Sequence, residues 1–142
     1  MKARDIMTLN PECVTRDNTL ADAARIMRSA DTGFVPVVDD HRSMRLTGVI
    51  TDRDIAIRHV ADNHPSDCTV GDHMSSAVRS VGPDEDVKEV MELMKSEQIR
   101  RVPVVENERL VGVIAQADLA THHVGDKKVG DTVEKISEPV KR

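Results

Sequence analysis

The chain repeats itself, and that repeat limits what it can fold into. Leu20, Met27, Val35, Pro36, Val37 and Val38 return 67 positions later as Val87, Met94, Val102, Pro103, Val104 and Val105. Met7 pairs with Met74 in the same register, Val14 with Val81 and Asp17 with Asp84. Beyond the Val-Pro-Val-Val runs the offset falls to 64, so that Gly48 meets Gly112 and Asp54 meets Asp118. The three lost residues fall in the polar stretch Asp39 to Arg45, where turns tolerate changes of length. Self-similarity of this kind marks one supersecondary unit built twice. The expected boundaries are residues 1–62 for the first copy and 63–125 for the second, with 126–142 as a tail.

Each copy reads as a short opening segment followed by strand, helix, strand, strand, helix. The openings are Ala3 to Met7 and Val70 to Met74. In the first copy Leu20, Ala23, Ala24 and Met27 recur at helical spacing, and Thr19 with Asp22 resembles a capping box. In the second, Asp86 opens a helix whose apolar face is Val87, Val90, Met91 and Met94. Phe34 to Val38 and Val102 to Val105 read as buried strands, and the proline inside each argues for a strand start or an edge. Leu46 to Ile50 and Leu110 to Ile114 complete two hairpins, the first closed by about seven polar residues and the second by fewer. Final helices run from about Asp52 to Val60 and from about Gln116 to His122. A linker spans His59 to Thr69, and a last helix is expected from about Val129 to Ile136. The fold class is therefore α/β (α+β type).

Phe34 is the only aromatic residue, so the core must be aliphatic and little surface exists for stacking nucleic acid bases. With a net charge of −5 there is no global basic footprint, and nucleic acid is not an expected partner. No apolar run reaches the roughly 18 residues of a membrane span, and the first residues lack the apolar centre of a signal peptide. The expected location is cytoplasmic. Cys13 and Cys68 read as two unrelated reduced thiols. His64 and Cys68 have ligand-like separation, but without a second pair both read as loop residues, and no metal site is expected. Asp5, Asp72 and Asp131 read as helix-start caps.

The opening Arg-Asp-Ile-Met, the Val-Pro-Val-Val strand and Gly-Val-Ile-Thr-Asp-Arg-Asp at Gly48 to Asp54 together resemble a tandem pair of CBS domains, a Bateman module, over roughly residues 1 to 125. Small stand-alone bacterial CBS-domain proteins are the nearest in pattern. The resemblance implies two β-α-β-β-α units packed with pseudo-twofold symmetry, with clefts between them that in many relatives hold AMP, ADP, ATP or S-adenosylmethionine. It also implies a regulatory, non-enzymatic module that needs no cofactor, forms a homodimer through its helices, and passes a signal to an effector protein.

Asp54 then inherits a role on ribose hydroxyls and Thr51 one on phosphate. Thr-x-x-Asp is equally the spacing of a helix N-cap and its N3 residue, and both roles can hold at once. The second copy keeps Asp118 but has Ala115 in place of Thr51. Arg100 and Arg101 are phosphate candidates there, with surface ion pairing as the alternative. In the first copy the matching pair is Gly33 and Phe34, and Phe34 either walls an adenine pocket or belongs to the core. Val35, Pro36, Val102 and Pro103 would offer backbone groups to a base edge. Thr15 would line the same cleft, and Arg53 is either a phosphate contact or solvated. Ile55, Ile57 and Val60 are the expected dimer face. The competing reading is a stress-associated structural or interaction protein that binds no nucleotide.

Overall fold

The computed structural model describes residues 1–65, 67–122 and 133–137. In chain order the named helices and strands run α1 (Ala3–Ile6), β1 (Thr8–Leu9), β2 (Val14–Thr15), α2 (Leu20–Ala30), β3 (Phe34–Val38), β4 (Leu46–Thr51), α3 (Asp52–Asp54), α4 (Val70–His73), α5 (Val87–Glu97), β5 (Arg101–Glu106), β6 (Arg109–Ala115) and α6 (Gln116–Thr121). The helix begun by α3 continues as a π-helical segment, Ile55–Val60. Residues 133–137 are helical and Ile136 is buried. The rest of the expected last helix, Val129 to Thr132 with the Asp131 cap, lies outside the described residues.

The chain packs as two compact units that interleave the two copies. One unit comprises Met1–Asn10, Arg79–Glu106 and Val111–Arg142; the other comprises Pro11–Val78 and Asn107–Leu110. The opening segment of each copy therefore belongs to the unit whose sheet the other copy supplies. The 1–62 and 63–125 boundaries describe the repeats of the sequence and not these packing units.

In the unit holding Pro11–Val78 the sheet order is β2-β3-β4. β2 runs parallel to β3, Val14 opposite Val37, and β3 runs antiparallel to β4, Phe34 opposite Thr51. Ser75, just past α4, bridges Val49 from outside the named strands. The other unit repeats this plan, with β1-β6-β5, Thr8 opposite Val113, and Val81 bridging Val104 in parallel. The two strand glycines make these approaches possible. A Cβ on Gly48 would lie 2.7 Å from the Ser75 carbonyl oxygen, and one on Gly112 would lie 2.7 Å from Met7 Sδ.

Pro36 sits inside β3, the central strand of its sheet, not at a strand start or an edge, whereas Pro103 sits inside β5, at the edge of the order β1-β6-β5 as expected. β2 overlaps β3 only at Val37 and Val38, so the proline ring falls before the overlap and no ladder donor is missed. Pro103 still accepts from the Val81 N–H (3.1 Å).

One face of each sheet supplies a core cluster. Val14, Val35, Val37 and Ile50 join Leu20, Ala23 and Val70 in one cluster, and Val102, Val104 and Ile114 join Val87, Val90, Met91 and Met94 in the other. The α5 face is the one expected from the spacing. On α2, Ala24 is exposed and Ile26 packs with Met27 instead. The capping box of α2 is formed: Asp22 N–H donates to Thr19 Oγ1 (3.1 Å) and Thr19 N–H to Asp22 Oδ2 (3.0 Å).

The two hairpin turns close differently. Asp39 organises the longer one, accepting from the backbone N–H groups of Asp40 and Arg45 and from the Ser43 hydroxyl. The Ser43 bond is the main reason its carboxyl is held below the ordinary range. The shorter turn needs only Asn107 and Glu108, both at positive φ (51° and 66°). Two such residues fit a type I′ turn, whose twist matches that of the flanking strands.

Candidate functional site

In the first copy β4 delivers Thr51 to the start of α3. Asp54 N–H donates to Thr51 Oγ1 (3.1 Å), and Thr51 N–H donates to Asp54 Oδ2 (3.0 Å). Arg58 Nε lies 3.8 Å from the other carboxylate oxygen. The capping reading of Thr-x-x-Asp is thus realised, and it engages both side chains. Beside them, Asp52 N–H donates to the Gly33 carbonyl (2.9 Å), and the Asp52 carboxylate fills the space that a side chain on Gly33 would take. Arg53 is exposed, Phe34 is half-buried, and Val35 and Pro36 are buried. Thr15 lies apart from this group within its unit. It pairs with Val38, at the opposite end of β3 from Phe34, roughly 13 Å along a strand. Its hydroxyl donates to Asn18 Oδ1 (3.2 Å).

The second copy keeps the scaffold and reverses the charge. Gln116 N–H donates to the Arg100 carbonyl (2.7 Å), the counterpart of the bond from Asp52 to Gly33. Ala115 has no hydroxyl to give, so only half the box remains: Ala115 N–H donates to Asp118 Oδ2 (2.7 Å). An open cavity of about 310 Å³ lies here, lined by Arg100, Arg101, Ala115, Gln116, Ala117, Ala120 and Val133. Gln116, Ala117, Ala120 and Val133 were not anticipated. The first three follow from the helical turn after Ala115, whereas Val133 arrives from the tail with no local signal. Val102 and Pro103 are buried and do not line the cavity.

A second group of side chains gathers at the far end of the π-helical segment. His59, Cys68 and His73 each offer one ligand atom, all within 4.8 Å of one another. The His64 ring is 5.3 Å from that of His73 and 6.0 Å from that of His59, centre to centre. The sequence spacing of His64 and Cys68 alone pointed to loop residues, and both are indeed in the loop. The partners that change their meaning, His59 and His73, come from the helix before it and the short helix after it. Cys13 and Cys68 are both free thiols.

Comparison with known proteins decides the family. The CBS domain matches this chain twice, over residues 3–59 and 70–125. The chain is a CBS-domain protein. Its two matches make it a tandem CBS pair, and small stand-alone relatives share that arrangement. The Bacillus subtilis protein YlbB is 35% identical over 96% of this chain and 92% of its own. Hypoxic response protein 1 of Mycobacterium tuberculosis is 39% identical over 84% of this chain and 83% of its own. The crystal structure of Hypoxic Response Protein I with two coordinated zinc ions has a TM-score of 0.79 at 37% identity, covering 86% of this CBS pair and 98% of that chain. The CBS domain pair of MJ0100, in complex with 5′-methylthioadenosine and S-adenosyl-L-methionine, has a TM-score of 0.77 at 29% identity, covering 89% and 98%. No described helix of the CBS pair is long and apolar enough to cross a membrane.

Proposed function

We propose that this CBS pair is a regulatory, non-enzymatic module that binds an adenosine-containing ligand and passes the binding event to a partner protein. The observation that carries the reading is the cavity flanked by Arg100, Arg101 and Gln116. Its volume is at the lower end of the range for small-molecule sites. Two guanidiniums at its edge favour a phosphate-bearing ligand such as AMP, ADP or ATP over the cationic S-adenosylmethionine. Asp118, with one oxygen engaged by Ala115 N–H, has an oxygen to offer a ribose hydroxyl. The adenosyl ligands held by the MJ0100 pair support the ligand class.

The first copy is the weaker candidate. Asp52 and Asp54 place two carboxylates where the second copy has Gln116 and Asp118, and Gly33 and Phe34 stand where it has Arg100 and Arg101. The closed Thr51–Asp54 box favours a purely structural role for that position, which is the second reading for the first copy alone.

Calorimetric titration of AMP, ATP and S-adenosylmethionine into wild type, Arg101→Ala and Asp118→Ala tests this. The nucleotides should bind wild type and bind each variant at least about tenfold more weakly, equivalent to about 1.4 kcal/mol. Binding that is unchanged in both variants would move the site elsewhere. No heat from any ligand would leave the interaction-protein reading.

A further inference from the structure

We propose that His59, Cys68 and His73 form a binding site for a zinc-class divalent metal ion, with His64 placed to supply the fourth ligand. The proposal is independent of the nucleotide reading, since it uses none of the same side chains.

His59 and His73 are buried, at 6% and 8% exposure. Among the described residues, His59 Nδ1 finds no hydrogen-bond partner despite its burial. A buried imidazole nitrogen without a partner costs free energy, and a metal ion is the partner that the neighbouring groups would share with it. The other ring contacts do not satisfy it. The His73 ring meets His59 edge-on at 5.3 Å and the His64 ring stacks on His59 at 6.0 Å. Three imidazoles and one thiol gather here, offering nitrogen and sulfur lone pairs.

The donor set selects the metal class. Imidazole nitrogen and thiolate sulfur suit zinc and disfavour calcium and magnesium, which take oxygen. Around tetrahedral zinc, ligand atoms sit roughly 3.3–3.6 Å apart, from bonds of about 2.0–2.1 Å to nitrogen and 2.3 Å to sulfur. The ligand atoms here lie within 4.8 Å of one another, and modest side-chain rotation would bring them to that separation around an ion.

The backbone is built to present these groups. His59 lies between exposed Arg58 and Val60 in a segment whose wide turns are sealed by Ala61 N–H to the Ala56 carbonyl (3.0 Å) and His64 N–H to the His59 carbonyl (3.1 Å). Such π-helical turns recur at functional sites. Cys68 is held through its own carbonyl, which accepts from Leu20 N–H (2.9 Å). His73 ends α4. A bound ion would therefore fasten the linker to the helix before it and the helix after it.

The test is metal titration of chelator-stripped full-length protein. Zn²⁺ should bind wild type and raise its melting temperature. Co²⁺ should give the visible bands of a tetrahedral site with a thiolate-to-cobalt charge-transfer band. Cys68→Ser should lose that charge-transfer band, Cys13→Ser should keep it, and His73→Gln should weaken Zn²⁺ binding at least about tenfold. If His73→Gln does not fold, Cys68→Ser decides alone, because it is a near-isosteric change at a half-buried position. A charge-transfer band that survives in Cys68→Ser, or no Zn²⁺ binding by wild type, would overturn the proposal.

Discussion

Thr51 and Ala115 occupy the same position in the two copies, and Thr51 carries a hydroxyl and a methyl group that Ala115 lacks. At Thr51 that hydroxyl accepts the Asp54 N–H, so Thr51→Ala should lower stability by about 1 kcal/mol, read as a lower urea midpoint. Ala115→Thr should complete the second box and raise stability by about 0.5–1 kcal/mol. Asp84 works through charge instead. The Arg4 guanidinium, hydrogen-bonded at 2.6 Å, holds its carboxyl below the ordinary value of 3.8. A carboxyl depressed in the folded state stabilises above its unfolded value, and that contribution is lost as pH falls through the folded one. Asp84→Asn should therefore be less stable than wild type at neutral pH, with the two curves converging in acid well below 3.8. Denaturation at a series of pH values checks this, and a constant gap down to the lowest pH would contradict it. Burial pushes the Cys13 thiol up, away from thiolate chemistry at neutral pH.

At the scale of elements, the readable parts were those with a strong local signature. The 67-residue register, the amphipathic faces of α2 and α5, and the hairpins all follow from spacing. The acidic N3 residues at Asp22 and Asp54 were legible as caps for the same reason, whereas Asp118, read from the sequence for a ribose, also accepts the Ala115 N–H. What stayed hidden depended on chain paths. β1 and β2 are two residues each, too short for any alternation. The π-helical segment has the same apolar residues an α-helix would have, so its widened turn leaves no trace in periodicity. The His59–Cys68–His73 cluster needs that turn and a folded linker together. The proline expectation failed at Pro36 because it assumed a full-length neighbouring strand, and held at Pro103 in the edge strand β5. The Asn107–Glu108 turn is another local matter. Glu108 holds φ at 66°, where glycine is at ease, so Glu108→Gly should raise stability by about 0.5–1 kcal/mol, measured as a higher melting temperature.

At the scale of the molecule, two exposed apolar residues bear on assembly. Ile57 is 50% exposed and Val60 63%, whereas Ile55 of the expected face packs partly against its own core. A homodimer is proposed through Ile57 and Val60. Ile57→Glu should shift sedimentation from dimer to monomer, and a wild type that is already monomeric at micromolar concentration would remove the proposal. The larger lesson lies in the interleaving of Met1–Asn10 with Arg79–Glu106. Suppose a chain carried only one repeat. Its opening segment would belong to a sheet it did not possess, and its own sheet would lack the segment that borders it. Two such chains meet both needs by trading segments, as in domain swapping. Joining them in one chain replaces a concentration-dependent encounter with an intramolecular one. A nick between Asp62 and Asn63 would separate each opening segment from the body it completes, so the two fragments should regain native structure only when mixed.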